Sequence, residues 1–338
     1  MASQQQWLQH KNNLHHMMQC LRHKGAMTRR QLADETALSW GCISEAITYL
    51  SENGFVCEEK VPSPQGTGRV PYLLKLNPNK LFLGIDVNEM GLKGCTVDLS
   101  GEVKERFEGT LSGTTAEALI SSLIQWIHSI LQGPRDILAL GLAMQGIYRK
   151  ADDTWLFPMG EGRIALPVRS YLKENVSLPF FLEHDPNCAL FGELTAKDST
   201  CKLLLRLERG IGVALCQGNQ IFDAGSLELG ETVVNRNGLR LREALHMREW
   251  EERSNASDHS FFQQAGRDLG VALGNLCHFL FIDEILLSGS MTQYAPLFLP
   301  ALRESFTQTY SHPSVSLRLT VTDPALGAAR WATEQYVY

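Results

Sequence analysis

The chain has 338 residues, more than one small domain needs, so we expect two or three domains. With 44% hydrophobic and 20% charged residues, it has the composition of an ordinary soluble globular protein. No apolar run approaches the roughly 20 residues that span a bilayer, and the N-terminus has no apolar signal core. The sequence therefore predicts a cytoplasmic protein without a membrane partner.

The charge is unevenly distributed along the chain. The net charge is −6, but residues 1–78 contain 8 Lys/Arg against 6 Asp/Glu, and the remainder contains 23 against 31. A basic head on an acidic body indicates that the head is the part that meets a polyanion. The eight cysteines are scattered without a CxxC pair, which argues against a zinc ribbon and favours reduced thiols in the core.

The N-terminal segment contains three helical patterns followed by a hairpin pattern. Thr28 and Gln31 form a capping box at the start of the second helix, and Ser39 is the N-cap of a third helix that ends at Gly54. Two extended runs around a Pro/Gly-rich tip follow in residues 55–78. This order predicts a winged helix-turn-helix, in which the second of two closely joined helices enters the major groove of DNA.

Two groups of head residues are candidates for contact with DNA. Residues at the front of the third helix are candidate base readers, namely Trp40, Gly41, Cys42, Ser44 and Glu45. Three arginines are candidate phosphate contacts, which position the protein without specifying sequence, namely Arg29, Arg30 and the wing residue Arg69. For Trp40 the alternative is packing against the preceding turn.

The order of motifs in the body resembles the ROK family of repressors and sugar kinases. The motifs are "LFLGIDVN", "VDLSGEV", "ALGLAMQGIY", "PFFLEHDPNCALFGEL", "LLLRLERGIGVALCQGNQI", "LELGETVV" and "DEILLSGS". The resemblance runs from about Leu81 to the C-terminus, and the head resembles that of ROK repressors, whose wing has a tract similar to Gly68, Arg69 and Pro71.

The resemblance implies an α/β fold, in which an N-terminal winged helix-turn-helix precedes a two-lobed actin-like (RNase H-like) ROK sugar-kinase fold. We expect the DNA-binding domain in residues 1–78. The first lobe is expected in residues 79–184 plus 325–338, and the second lobe in residues 185–324.

The two phosphate loops of the kinases are altered in this chain. Where the kinases have D-x-G-G-T, this chain keeps Asp86 but has Asn88 and Glu89 in place of the glycines. Where they have G-T-G-I-G, it has Glu208 and Arg209 before Gly-Ile-Gly. Added carboxylates repel a triphosphate, and bulky side chains keep backbone N–H groups away from it. The sequence therefore predicts no nucleotide cofactor, no catalytic residue and no enzyme activity.

The sugar side of the family pattern is better preserved. Asp185 matches the position of the kinases' catalytic base, His184 replaces an Asn beside it, and Glu228 matches a sugar-gripping Glu. The full set of candidate sugar-binding residues is Gly146, His184, Asp185, Glu228, Glu231 and Glu243. The alternatives are a helix cap for Asp185, a solvated acidic loop, or a Ca²⁺ or Mg²⁺ site formed by converging carboxylates. A phosphorylated sugar fits poorly here unless Arg163, Arg209 or Arg236 reaches its phosphate.

Two further features bear on metal binding and packing. Glu231 replaces a His that ligates a structural zinc in relatives, and the three cysteines of that site are absent, so no zinc is expected. Gly266, Gly270 and Gly274 recur at spacing four, which suggests a membrane dimer motif, but the charged neighbours in this segment favour close helix packing in a core.

The sequence as a whole predicts a sugar-responsive transcriptional repressor. Its head binds operator DNA, a carbohydrate effector binds between the lobes, and the protein is a homodimer or homotetramer. The rival hypotheses are a ROK sugar kinase with residual activity through Asp185, and a regulator controlled by a protein partner.

Overall fold

The computed structural model describes residues 2–60, 72–160, 162–195, 199–222, 227–235, 237–312 and 314–338, with side chains from residue 11 onward. The chain forms two compact units. The first comprises residues 1–144, 157–183 and 328–338, and the second comprises residues 145–156 and 184–327. Within the described residues, no helix is both long and apolar enough to cross a membrane.

The head, in the first unit, has the elements of a winged helix-turn-helix. Its helices are α1 (Ala2–Lys24), α2 (Arg29–Thr36) and α3 (Trp40–Glu52), and its strands are β1 (Met27–Thr28), β2 (Val56–Lys60) and β3 (Tyr72–Leu76). The strands form an antiparallel sheet in the order β1-β3-β2. The tip of the predicted wing, with Gly68, Arg69 and Pro71, lies outside the described residues.

The helix ends in the head follow from local chemistry. The capping box of Thr28 and Gln31 is present, and the Ser39 side chain accepts from the backbone N–H of Cys42, so both predicted caps are confirmed. Gly25 ends α1 with φ +82°, in the left-handed region that favours glycine. The apolar faces of the helices form one core of fully buried side chains, namely Leu14, Met17, Met18, Leu21, Leu32, Ile43, Ile47 and Leu50.

The α/β part of the first unit is built on a five-stranded sheet. Its strand order is β11-β7-β4-β5-β6, with β4 parallel to β7 and antiparallel to β5. The strands are β4 (Lys80–Asn88), β5 (Gly91–Asp98), β6 (Val103–Gly109), β7 (Asp136–Met144) and β11 (Phe180–His184), and the helices are α4 (Ala116–Leu131) and α5 (Val168–Asn175). Residues 81–87 are buried throughout, as expected for a central strand.

A short three-stranded sheet lies between β7 and α5 in the chain. Its strands are β8 (Ile147–Arg149), β9 (Thr154–Met159) and β10 (Gly162–Leu166), in the order β10-β9-β8. The β8–β9 hairpin pairs antiparallel from Ile147 to Leu156, and this part of the sheet belongs to the second unit.

The second unit contains another five-stranded sheet, with strand order β14-β13-β12-β15-β16. The strands are β12 (Cys201–Leu207), β13 (Ile211–Gln217), β14 (Gln220–Ile221), β15 (Glu284–Ser288) and β16 (Ser316–Leu319). The helices are α6 (Asp185–Glu193), α7 (Leu241–Leu245), α8 (Trp250–Asn255), α9 (His259–Cys277) and α10 (Ala295–Thr309). Trp250 is fully buried among Phe262 and Phe298, with ring centroids 5.4 and 5.1 Å away.

The glycine ridge predicted from the sequence lies in α9 and faces α10. A Cβ at Gly270 would lie 2.5 Å from the carbonyl oxygen of Leu302, and Cβ atoms at Gly266 and Gly274 would overlap atoms of Phe298 and Thr309. The helices can approach this closely only without side chains at these positions. The prediction of close helix packing is confirmed.

The C-terminal helix α11 (Pro324–Gln335) belongs to both units. Its first turn, up to Gly327, is part of the second unit, and residues from Ala328 onward are part of the first. In the first unit, a Cβ at Gly141 of β7 would overlap the carbonyl oxygen of Ala328, so helix and strand are in close contact there.

Candidate functional site

Asp185 lies at the junction of β11 and α6. It is the first residue of α6 and is only 7% exposed, while the N-cap position is taken by His184, whose side chain makes no capping hydrogen bond. The alternative that Asp185 is the N-cap residue of this helix is therefore wrong. In the first turn, its carboxylate is favoured by the partial positive charge of the helix N-terminus.

Arg206 is the main partner of Asp185, and sequence reasoning missed it. Arg206 Nε donates to Asp185 Oδ2 at 3.1 Å, and Arg206 Nη2 lies 3.2 Å from Glu208 Oε1. Ser290 donates its hydroxyl to the other carboxylate oxygen of Glu208. The signal in the sequence was a single arginine in the apolar run "LLLRL" of β12, a position where a charge needs a buried partner.

The electrostatics of this group are set by burial and by Arg206. Burial raises the pKa of Asp185 to about 6, the charge of Arg206 opposes that rise, and the charge of Glu208 adds to it. Asp185 is therefore mainly ionised at neutral pH. An ionised carboxylate accepts hydrogen bonds and donates none, so it suits a ligand that presents hydroxyl groups.

His184 connects Asp185 to the β8–β9 hairpin. His184 Nε2 lies 2.7 Å from the carbonyl oxygen of Gly146, and it carries the hydrogen because a carbonyl can only accept. The same nitrogen is 3.8 Å from Asp185 Oδ1. The imidazole stacks on Trp155 at 6.3 Å between centroids, and Trp155 contacts the Tyr148 ring at 5.3 Å. The structure thus brings together three predicted residues, Gly146, His184 and Asp185.

The other three predicted acids have different surroundings. Glu231 forms ion pairs with Arg240 and Arg242, and Glu243 Oε2 accepts from the backbone N–H of Arg240, the N-cap residue of α7, at 3.1 Å. Glu228 is exposed and directly precedes the short helix of residues 229–231. For Glu231, the chain's own arginines therefore supply the donors that we expected a ligand to supply.

No group of three or more His, Cys, Asp or Glu side chains in the described ranges is arranged to hold a metal ion. The converging carboxylates that would form a Ca²⁺ or Mg²⁺ site are therefore not found there. The residues at the family's zinc position do not fit zinc either, since Glu231 is paired with arginines and no cysteine lies between Cys216 and Cys277. Of the arginines considered for a sugar phosphate, Arg163 and Arg209 are exposed, and Arg236 lies outside the described residues.

The two loops that correspond to the kinases' phosphate loops contain local hydrogen bonds. In the β4–β5 hairpin, Asn88 donates to Asp86 Oδ2 at 3.1 Å and accepts from the backbone N–H of Met90 at 2.9 Å. In the second loop, the Glu208 backbone N–H donates to the Gly210 carbonyl at 3.0 Å.

The predicted DNA-reading residues lie at the exposed start of α3. Trp40 is 58% exposed, so the alternative that it packs against the preceding turn is wrong. Gly41 and Glu45 are exposed, and Cys42 and Ser44 are half-buried. Thr48 and Tyr49 are also exposed, one turn further along the same helix.

The two described arginines of the head differ in their surroundings. Arg30 is exposed, whereas Arg29 is half-buried and forms an ion pair with Glu58 of β2. Arg30 is therefore the better candidate for a phosphate contact, because a phosphate would have to compete with Glu58 for Arg29.

Comparison with known proteins places this geometry in context. Residues 82–240 match the model of the ROK family. Two xylose repressors are similar in sequence. That of Bacillus spizizenii is 24% identical over 223 residues, which cover 63% of this chain and 58% of that protein. That of Bacillus subtilis is 21% identical over 355 residues, which cover 92% of each.

Among solved structures, a crystal structure of a ROK family transcriptional regulator, a homolog of the E. coli MLC protein, matches with a TM-score of 0.78. It is 16% identical and covers 96% of both chains. This likeness confirms the predicted fold, a winged helix-turn-helix followed by an actin-like ROK body.

Proposed function

We propose that this chain, whose residues 82–240 form a ROK family domain, is a sugar-responsive transcriptional repressor. The observation that carries the proposal is the combination of an exposed recognition helix in the head with a buried, ionised Asp185 in the body. The similarity to two xylose repressors supports it. The head binds operator DNA, and the body binds the effector.

The effector is recognised first through the carboxylate of Asp185. One of its oxygens accepts from Arg206, and Oδ1 remains on the side of His184 for the hydroxyl groups of a sugar. A hydrogen bond to a charged group contributes about 1.5–3 kcal/mol, more than a neutral one. Glu228, which is exposed, is the second acid that accepts a sugar hydroxyl.

The chain does not act as a sugar kinase in this proposal. Asp185 alone does not decide this point, because its pKa of about 6 would suit a residue that takes a proton from a hydroxyl, and it is the phosphate loops that weigh against kinase activity. Glu89 and Glu208 add negative charge in the two loops that would hold the triphosphate. Calorimetry should detect no ATP binding, and an ATP affinity in the micromolar range would favour the kinase hypothesis.

Effector binding acts on DNA binding through a change in conformation. A sugar that binds one arrangement of the lobes more tightly shifts the population toward it, and the two heads of a dimer change their spacing. The coupling is reciprocal, so operator DNA should alter the affinity for the sugar by the same factor.

The test is the variant Asp185→Asn in the full chain. The matched control is Asp268→Asn, which changes a carboxylate of the second unit that lies in α9, outside the site. Effector affinity, screened by thermal shift against neutral sugars and sugar phosphates, should fall about 10- to 150-fold for Asp185→Asn, because one charged acceptor is lost. Operator affinity without sugar, measured by fluorescence anisotropy, should stay within about twofold of the wild-type value, a difference of about 0.4 kcal/mol.

A response to effector that survives Asp185→Asn would place the pocket elsewhere. Equal losses in both variants would point to a general structural effect.

A further inference from the structure

The end of α1 is bound to the C-terminal segment of the first unit. Arg22 is the centre of this contact, with a side chain only 8% exposed. Its Nε donates to the Leu99 carbonyl at 2.8 Å, its Nη2 donates to the Tyr338 hydroxyl at 2.9 Å, and its Nη1 pairs with Glu334. Gln19 donates to the other oxygen of Glu334 at 3.0 Å. One arginine of the head thus contacts three separate positions of the body.

An aromatic cluster extends this contact. Phe55, at the start of the wing, meets Tyr338 edge-on at 5.3 Å between centroids and Tyr336 at 6.4 Å. Tyr336 in turn meets Phe82 of β4 at 5.5 Å. Tyr338, Phe55 and Phe82 are buried, whereas Tyr336 is half-buried. We call the whole contact the head dock, and it comprises Gln19, Arg22 and Phe55 of the head with Phe82, Leu99, Glu334, Tyr336 and Tyr338 of the body.

The charges in the head dock are strongly paired. Burial would raise the pKa of Glu334, but the charge of Arg22 and the hydrogen bonds from Gln19 and Arg22 outweigh it, so the pKa lies below its ordinary value. Breaking a largely buried ion pair with several hydrogen bonds costs much free energy, because removing one partner leaves the other charge buried. Opening the head dock therefore costs more free energy than breaking an ion pair on the exposed surface.

Helix α11 leads from the head dock to the candidate sugar site. In the second unit, its Gly327 packs directly on α6, where a Cβ would overlap the carbonyl oxygen of Cys188. The helix α6 begins with Asp185, one turn before Cys188. The other end of α11 provides Glu334 to the head dock. Within the second unit α11 thus contacts α6, within the first unit it contacts α1, and the helix itself is shared by the two units.

We propose that the head dock fastens the DNA-binding head to the first lobe, and that α11 transmits movement of the second unit to α1. Because α1 packs against α2 and α3, a displacement of α11 moves the recognition helix with it. The fastening is independent of the proposed function. The transmission rests on it, because it assumes a sugar near Asp185 and DNA at α3.

The fastening is tested by hydrogen–deuterium exchange on the full chain without any ligand. The variant is Arg22→Met, and the matched control is Arg135→Met in the same unit. Arg135 is also a poorly exposed arginine that binds a carboxylate and a backbone carbonyl, those of Glu105 and Ile130, but it does not contact the head.

Amide exchange in residues 13–24 should become about 10- to 100-fold faster in Arg22→Met, because the head then opens without breaking charged hydrogen bonds. It should be unchanged in Arg135→Met. Equal exchange of α1 in the two variants would overturn the fastening. If Arg22→Met does not fold, Tyr338→Phe is measured instead. It removes one hydrogen bond to Arg22, so amide exchange in residues 13–24 should become about tenfold faster.

The transmission is tested with the same variants by operator binding in the presence and absence of the effector. Arg22→Met should keep its operator affinity within about threefold, or about 0.7 kcal/mol, and should lose most of the change that the effector causes in the wild type. A full effector response in a variant whose α1 exchange is accelerated would overturn the transmission. If the wild type binds neither DNA nor sugar, the proposed function is wrong, and the exchange experiment still decides the fastening.

Discussion

At the scale of single residues, the chemistry of Asp185 depends on its surroundings. Burial raises its pKa to about 6, and Arg206 keeps it from rising further. Asp98 in the first unit shows the opposite outcome, because hydrogen bonds from Lys104, Ser100 and the backbone outweigh burial and its pKa lies below the ordinary value. Two buried aspartates of the same chain therefore have pKa values shifted in opposite directions.

This difference predicts opposite effects on stability. The native state holds the Asp185 proton up to about pH 6, whereas the unfolded chain releases it near pH 3.8. The contribution of Asp185 to the free energy of unfolding therefore falls as pH rises from about 4 to about 6, by up to about 3 kcal/mol. The pKa of Asp98 is lowered in the native state, so Asp98 stabilises the protein at pH values above the pKa that it has in the unfolded chain. This stabilisation is lost as the pH falls below that pKa.

Urea unfolding at several pH values from about 2.5 to 7 checks this prediction, because the Asp185 contribution changes between about pH 4 and 6 and the Asp98 contribution changes below about pH 4. Relative to wild type, Asp185→Asn should be less stable at the acid end than at the neutral end, and Asp98→Asn should show the reverse. Parallel pH profiles for the two variants would contradict the opposite surroundings described here.

At the scale of elements, the exposed face of α3 and the arginines of the head have different roles. Ser44 lies near the start of α3, the helix proposed to read base edges, and Arg30 is an exposed cation suited to phosphates. The roles of Ser44, Arg30 and the wing residue Arg69 all stay predictions, and Arg69 lies outside the described residues.

Substitutions in the head should therefore separate affinity from specificity. Arg30→Ala should weaken binding to all DNA sequences alike and reduce the slope of log affinity against log salt by about 1. Ser44→Ala should also change the preferred base at one position. Binding-site selection with each variant measures both effects. A changed base preference in Arg30→Ala, with none in Ser44→Ala, would reverse the assignment.

The helical glycines provide a second test at this scale. Gly270→Ala should lower the stability by about 1–3 kcal/mol, since its Cβ would lie 2.5 Å from the Leu302 carbonyl oxygen and 2.9 Å from the Phe306 nitrogen. Gly41→Ala in α3 should raise it by about 0.5–1 kcal/mol, because its nearest neighbour is the Ser39 hydroxyl at 3.9 Å and alanine favours a helix. Thermal unfolding midpoints should shift in opposite directions. A midpoint that is unchanged or raised in Gly270→Ala would show that the α9–α10 contact can relax.

At the scale of the whole molecule, one compact unit contains both the head and the first lobe, and α11 is shared between the two units. The head dock joins residues that are 312 and 316 positions apart in the chain. A head fastened in this way has a limited set of orientations, so the geometry of an oligomer sets the geometry of its DNA site.

For a symmetric dimer, the operator should be a near-palindrome with half-site centres about 10 bp apart or a multiple of that distance. Affinity should fall steeply between low and physiological salt, because each neutralised phosphate releases counterions. Footprinting and a salt titration check both points. If a chain lacking residues 1–78 still bound the operator, the head would not be the DNA reader.

Several features of this protein were determined by the sequence alone. The capping box of Thr28 and Gln31, the N-cap Ser39 and the end of α1 at Gly25 all depend on neighbours within a few residues, so local chemistry was sufficient. The glycine spacing of α9 could likewise be interpreted from one helix, and the order of motifs indicated the family.

Only the tertiary structure decided which charges pair. Arg206 and Asp185 are 21 residues apart, and Arg22 and Glu334 are 312 apart, and no local pattern distinguishes such partners from other arginines and acids. Glu231 likewise looked available for a ligand until Arg240 and Arg242 were found beside it. A buried charge is stabilised by whichever opposite charge the folded chain brings within reach, and that choice is made by packing over long distances in sequence.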